Sequence, residues 1–398
     1  MKQSQDTKYK IRNTNHAPKQ RVALVHDWLV GGGAELVVEQ LHKMYPEAPI
    51  YTSYATDEWR TRLDNKVVTG WLQHLGKMRK YIPFLRIWWF AHLNLSEFDL
   101  VISSSGAEAK GIIVNKKPSF LAKLRNTKYE IRNTIHINYC HAPTHYYWSR
   151  YDEYMQHPGF GRFDWLARIG LKLLVSPLRK WDHKAAQRPD FMIANSTHTQ
   201  QQIKQYYGRD STVIHPPVKV ERFQKTENQN LKRTGFVISG RQTPYKRFDL
   251  AVQACTQLNL PLTVIGSGPD NARLRVMAGP TITFVDRRQA TDEYIEKAFA
   301  SAEAFIFPGI DDFGITAVEA MAAGTPVIAY KAGGALDYII PGKTGAFFEE
   351  QSIDSLTKAL QSFNSKKLDS ITIRQQTAQF NETTFQNGIQ TFINNIRR

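Results

Sequence analysis

At 398 residues, 42% of them hydrophobic and 12% aromatic, the chain is too long for one ordinary core and too apolar to be disordered. Its net charge of +16 is uneven: residues 1–222 hold 33 Lys and Arg against 19 Asp and Glu, whereas residues 223–398 hold 19 against 17. The first part is therefore expected to meet something anionic. With no zinc-finger spacing, RRM-type aromatic motif or zipper, an anionic membrane face is favoured over nucleic acid.

No run of about 18 apolar residues exists, so no transmembrane span is expected; the nearest candidate, Ile82 to Leu95, is broken by Pro83 and Arg86. Met1 to Arg21 is polar and basic, without the apolar stretch of a secretory signal. Cys140 and Cys255 lie far apart and suggest neither a disulfide framework nor a metal site. These features point to the reducing cytoplasm.

In chain order, Arg21–His26 reads as a buried strand leading through Gly31-Gly-Gly33 into a helix from Leu36 to Met44. A glycine-rich turn at that junction suits a phosphate at a helix N-terminus. The spacing is not G-x-G-x-x-G, and no acidic residue follows about twenty positions on at a strand end, so a nicotinamide cofactor is not indicated. Lys66–Thr69 is a short strand. Leu75–Phe90 mixes cations with Trp, Phe and Leu, as an interfacial segment would, or as helices packed on the sheet with snorkelling cations. Asp99–Gly106 and His136–Cys140 are further strands. Segments 1–20 and 116–134 contain the near-repeats KYKIRNT and KYEIRNT and read as mobile surface insertions. The strand ending at Cys140 delivers His141-Ala-Pro-Thr-His-Tyr-Tyr-Trp148 where open α/β sheets bind ligands. Trp165–Arg188 reads as a long helix interrupted near Pro177. Asp190–Asn195 is a strand, with Ser196 or Thr197 capping the helix that follows. Polar Lys219–Lys232 is the expected linker.

The second part repeats the alternation, with strands at Gly235–Ser239, Leu262–Gly266, Thr281–Val285, Ala304–Phe307 and Val327–Tyr330 separated by helical stretches. After the first strand come Arg241 and Lys246, cations able to hold a diphosphate; after the second comes Gly266-Ser-Gly268, with Gly268 leaving room for a ligand. After Phe307 comes Pro308-Gly-Ile-Asp-Asp-Phe-Gly-Ile-Thr-Ala-Val-Glu319, continuing to Pro326. There Gly314 opens a helix whose free N–H groups can hold a phosphate, and nearby carboxylates can accept bonds from hydroxyls. A phosphate and several hydroxyls together describe a nucleotide sugar.

These motifs, with Gly31-Gly-Gly-Ala-Glu35, His141-Ala-Pro143 and Ala194-Asn-Ser196, resemble the retaining glycosyltransferases of family 4 over roughly residues 21–395. The resemblance implies the GT-B fold: two Rossmann-like parallel α/β domains facing across a cleft. It places an acceptor domain at 1–222, a donor domain at 223–380, and a terminal helix at 381–398 able to return to the first domain. The family's paired acidic motif falls on Asp311 and Glu319. It implies that Glu319 takes ribose hydroxyls, and that Asp311 with the N–H groups of Phe313, Gly314 and Ile315 holds the donor sugar. It further implies that Arg241 and Lys246 bind the diphosphate, Gly266 and Gly268 shape the donor loop, His141 lies across the cleft, and Gly32 and Gly33 approach the donor phosphates. Asp311 is one methylene shorter than the usual Glu, and Asp286 stands where relatives often have Gly. No metal or other cofactor is expected.

The reading is transfer of a hexose, with mannose from GDP-mannose favoured, to a cell-envelope glycan or lipid-linked acceptor. The protein would work in the cytoplasm, peripheral on the inner membrane face through its basic first domain. Alternatives are a sugar phosphorylase or nucleotide-sugar epimerase of the same fold, and a non-catalytic basic protein binding membrane or nucleic acid.

Overall fold

The computed structural model describes residues 20–115, 134–156, 158, 161–224 and 233–397; for 77–81 and 162 it describes the backbone alone. The two repeat-bearing segments and most of the polar linker lie outside the described residues.

Thirteen strands among the described residues form two sheets, parallel throughout. The first contains β1 (Val22–His26), β2 (Ile50–Thr52), β3 (Val67–Val68), β4 (Leu100–Ser105), β5 (Ile135–Cys140), β6 (Phe191–Ala194) and β7 (Thr212–Val213), in the order β3-β2-β1-β4-β5-β6-β7. The second contains β8 (Phe236–Ser239), β9 (Leu262–Ile265), β10 (Ile282–Val285), β11 (Ala304–Phe307), β12 (Val327–Tyr330) and β13 (Gly345–Phe348), in the order β10-β9-β8-β11-β12-β13. Helices cover both faces of each sheet, so central strands are apolar along their whole length: every residue of β1 and of β11 is buried. In each sheet the strand order reverses once, between β1 and β4 and between β8 and β11. A crevice opens at such a point beyond the C-terminal ends of the strands.

The chain passes between the halves twice. Val218 N–H donates to the Phe380 carbonyl at 2.8 Å, pairing the two crossings. The last helix, Glu382–Ile396, buries Phe385, Ile389 and Ile393 in the core of the first sheet, beside Leu24, Val37 and Ile50. Lys43 meets Glu382 at 2.9 Å on the rim of this contact.

Two local expectations need correction. β2 lies in a stretch not read as a strand; it is only three residues long and follows Pro49. The helix expected to break near Pro177 instead runs unbroken from Asp164 to Ala186. Pro177 is exposed, where water can satisfy the carbonyl its missing N–H releases. Around and beyond it, Val175, Leu178 and Ala185 anchor the helix in the fold. The Leu75–Phe90 stretch becomes a turn-rich segment and the helix Pro83–Ala91. Of its side chains Trp89 and Phe90 are buried, Arg86 forms a buried fork with Glu108, and Phe84 and Trp88 are exposed.

Candidate functional site

The reversal point of the second sheet brings the β8 and β11 loops together. Lys246 Nζ donates to Asp311 Oδ2 at 2.6 Å, with both side chains largely buried. Burial alone would lower the Lys246 pKa, but Asp311 outweighs it and the group is held above its ordinary value. Arg241, on the same loop, is exposed, and among the described residues its side chain forms neither hydrogen bond nor ion pair. A held ammonium and an uncommitted guanidinium on one loop are the elements of an anion site.

Gly314 initiates the helix Ile315–Ala322 from the left-handed region, at φ 96°. A Cβ there would lie 2.6 Å from Tyr338 Oη and 2.7 Å from Phe307 Cζ, so this position excludes any side chain. Gly333 and Gly334 support the same loop from below, and Gly334 N–H donates to the Asp311 carbonyl at 2.9 Å. The Asp311–Ile315 backbone is thereby fixed before any ligand arrives. Among the described residues, two buried atoms here, Asp312 Oδ1 and Tyr338 Oη, find no hydrogen-bond partner.

Glu319 lies one helical turn further on, half-buried, and among the described residues forms no hydrogen bond or ion pair. Burial raises its carboxyl to about 7, against the opposing influence of Arg222, Arg287 and Lys219. A carboxylate poised to ionise near neutrality, with no protein donor committed to it, is suited to accept bonds from hydroxyls. Lys246 and Asp311 touch each other; Glu319 is instead surrounded by the charges of Arg222, Asp292 and Arg287.

The glycines resolve differently. A Cβ on Gly266 would strike the Gly240 carbonyl and one on Gly268 would strike the Gln242 backbone. These residues let the β8 and β9 loops close on one another, and the expectation that Gly268 makes room for a ligand is corrected accordingly. Gly32 precedes the helix Gly33–Met44 in extended conformation, and Glu35 folds back to accept the N–H groups of Val30 and Gly31 at 3.2 and 2.9 Å. A Cβ on Gly33 would lie 2.6 Å from Ile315 Cδ1, so the glycine turn of the first half rests on the helix start of the second.

His141, at the end of β5, is packed against Tyr139 and His26, with its Nε2 2.7 Å from Ser104 Oγ. Burial, reinforced by His26, pushes its pKa down to about 3. The imidazole is therefore neutral and can offer a hydrogen bond but not a charge. His26 Nδ1 lies 2.7 Å from the Ser104 carbonyl, which can only accept, so His26 carries its proton there. At the reversal point of the first sheet, buried Asp27 accepts the N–H groups of Gly106, Ala107 and Ala109 at 2.7–2.9 Å. This clamp sets the β4 loop beside His141.

Several residues given no role across the cleft in the sequence reading close the halves on each other. His145 Nε2 lies 2.9 Å from Asp312 Oδ2. Burial would raise the Asp312 pKa, but His145, Arg150 and His198 hold it at about 2. Arg150 donates to the Ile310 carbonyl at 3.0 Å and lies 3.7 Å over the Tyr245 ring. Asp337 accepts the N–H of Thr197 at 2.8 Å, at the start of a helix already capped by Ser196. His145, Arg150, His198, Tyr245 and Asp312 line a cavity of about 800 Å³ between the halves. Asp286 caps its own turn through Arg288 N–H at 2.9 Å. Among the described residues, no group of three or more His, Cys, Asp or Glu is placed to hold a metal ion, and no helix is long and apolar enough to cross a membrane.

Known proteins resemble this chain in sequence and in fold. Residues 219–381 match the family described as glycosyl transferases group 1. A GDP-mannose-dependent alpha-mannosyltransferase of Mycolicibacterium smegmatis is 29% identical over 180 residues, 42% of this chain and 47% of the relative. Another of the same name from Mycobacterium tuberculosis is 35% identical over 139 residues, 32% of this chain and 35% of the relative. A D-inositol 3-phosphate glycosyltransferase of Streptomyces avermitilis is 25% identical over 207 residues, 44% of each chain. The chain thus spans less than half the length of these curated relatives. HepE of Anabaena, solved with UDP and glucose, superposes with a TM-score of 0.63 at 17% identity, covering 94% of this chain and 100% of its own. Sucrose-phosphate synthase of Thermosynechococcus elongatus gives 0.62 at 16%, covering 95% and 99%. The two parallel sheets are therefore those of a GT-B fold, and residues 219–381 are similar to the glycosyl transferases group 1 family.

Proposed function

We propose that the protein is a retaining hexosyltransferase that takes its sugar, mannose by preference, from a nucleoside diphosphate sugar. The observation that carries this reading is the Lys246–Asp311 pair, 2.6 Å apart at the reversal point of the second sheet, with uncommitted Arg241 on the same loop. The GDP-mannose-dependent names of two relatives support the choice of donor. The acceptor is a cell-envelope glycan or lipid-linked sugar presented at an anionic membrane face.

In this reading Arg241 grips the diphosphate as a bidentate fork and Lys246 serves it as a point charge. As Lys246 turns toward phosphate, Asp311 is freed to accept a hydroxyl of the sugar. Glu319 takes the ribose hydroxyls, and the N–H groups of Phe313, Gly314 and Ile315 face the donor from the helix start. The glycosidic bond breaks with negative charge collecting on the departing diphosphate, where the two cations stabilise it. The acceptor hydroxyl attacks from the same face and passes its proton to a leaving phosphate oxygen, so configuration is kept. Neutral His141 positions the acceptor side by a hydrogen bond. Loss of transfer on treatment of folded protein with EDTA would contradict the metal-free form of this mechanism.

The test is a thermal-shift panel of GDP-, UDP- and ADP-sugars. A donor at about 100 times its Kd adds roughly 2.7 kcal/mol, which moves Tm by about 5–10 °C for a domain of this size. GDP-mannose is expected to give the largest shift. No shift with any nucleotide sugar would defeat the proposal.

A further inference from the structure

The helix Asp164–Ala186 is buried at one end only, although near its start Arg168 donates to the Met155 and Gln156 carbonyls at 2.8 and 3.0 Å. Its buried residues are Val175, Leu178, Asp182, Ala185 and Ala186, all in its second part. From Asp164 to Leu174 no described side chain is buried, although this stretch carries large apolar groups. Trp165, Leu166, Ile169, Leu173 and Leu174 are 39–71% exposed, with Phe163 preceding them at 47%. Positions 165, 166, 169 and 173 repeat at helical spacing and form one apolar stripe. A helical stretch of this length is marginal in water on its own, so this surface is best explained by something that covers it.

Charge identifies the cover. Lys172 and Lys180 are exposed along the same helix, whose only acids are Asp164 at its start and Asp182, buried against Lys110 at 2.7 Å. A Trp-bearing apolar stripe flanked by cations is the composition of a helix lying in a headgroup layer. The basic character extends through residues 1–222, with 33 cations against 19 acids. The exposed Phe84 and Trp88 stand on the helix Pro83–Ala91, which packs on the same short turn, Ala109–Gly111, as the Asp164–Ala186 helix.

We propose that the Phe163–Leu174 face docks the protein on an anionic lipid surface, its apolar stripe in the headgroup–acyl boundary and its cations on lipid phosphates. The inference rests on the reading of a membrane-presented acceptor and names the element that makes the contact; it moves the contact site from the Leu75–Phe90 stretch to this helix.

The full chain is tested by co-sedimentation with phosphatidylglycerol-containing and pure phosphatidylcholine vesicles, using the wild type, Ile169→Glu/Leu173→Glu and Lys172→Glu. All three positions are exposed and away from the donor loops. The wild type should bind the anionic vesicles in a salt-sensitive manner. The double variant should lose at least ten-fold in affinity, and Lys172→Glu should weaken binding on anionic vesicles only. Unchanged Tm in the variants shows that they are folded, and an unchanged nucleotide-sugar thermal shift separates failure of docking from failure of the donor reading. The proposal is overturned if the wild type ignores anionic vesicles or if the double variant binds them as the wild type does. It is equally overturned if light scattering shows a dimer that the double variant dissociates, since a second copy would then be the cover.

Discussion

Replacing Glu319 with Gln should stabilise the unliganded protein at alkaline pH while weakening its grip on the donor. Burial raises the Glu319 carboxyl from an ordinary 4.5 to about 7, with Asp292 adding to the rise and Arg222 opposing it. Between those two values the folded protein holds a proton that the unfolded chain has released. Stability therefore falls as pH rises from 4.5 to about 7 and stays low above it. At about 1.36 kcal/mol per pH unit, that interval caps the penalty at roughly 3.4 kcal/mol. Glu319 is only half-buried, so water reduces the figure to about 1–3 kcal/mol. Gln keeps the shape and cannot ionise. In urea titrations at pH 5 and 8.5, Glu319→Gln should gain about 1–3 kcal/mol over the wild type at pH 8.5 and little at pH 5. Donor affinity of the wild type should rise with pH through 7, as the carboxylate proposed to accept ribose hydroxyls forms. The variant should bind about ten-fold more weakly at pH 8.5, a loss near 1.4 kcal/mol. An equal stability difference at both pH values would refute the assignment of a raised pKa to this group.

Arg241→Ala should lower kcat/KM by about 100-fold or more with little change in Tm, because the exposed guanidinium supports no described contact. Lys246→Ala should lower kcat/KM comparably and also destabilise by about 1–3 kcal/mol, since it strands Asp311; adding Asp311→Ala should restore part of the stability. Asp312→Asn removes the charge facing His145 and should expand the protein in small-angle scattering. The Asp312 carboxyl is depressed from 3.8 to about 2, so its contribution is full above 3.8 and is lost as pH falls through 2. The variant should therefore show a shallower acid-unfolding slope in that window. Gly268→Ala should cost about 2 kcal/mol or more in urea unfolding, because the methyl meets the Gln242 backbone; unchanged stability would return Gly268 to a role in ligand space.

The second half was legible because its signals are local. Ala304–Phe307 and Val327–Tyr330 are apolar runs too short to be helices, and Gly314 and Gly324 mark the ends of the helix between them. What escaped was set by partners distant in sequence. Nothing near Gly266 or Gly268 announces that the Gly240–Gln242 backbone will lie against them. His145 and Asp312 are 167 positions apart, and Arg150 and Ile310 are 160 apart, so only the folded chain reveals that they close the cleft. Glu319 could be marked as an acid near a helix start; its raised pKa depends on burial and on Arg222 and Asp292, which no local pattern exposes. The exposed stripe from Trp165 to Leu174 carries the same pattern as a core helix. Only the position of the helix's buried residues, all beyond Leu174, shows that it faces outward.

The most direct measurement is isothermal titration of GDP-mannose into the wild type, Arg241→Ala and Glu319→Gln at pH 8. Saturable one-site binding by the wild type, weakened about ten-fold or more in each variant, is the predicted result. Absence of binding by the wild type to GDP-mannose and to every other nucleotide sugar, or equal binding by all three proteins, would contradict the donor site described above.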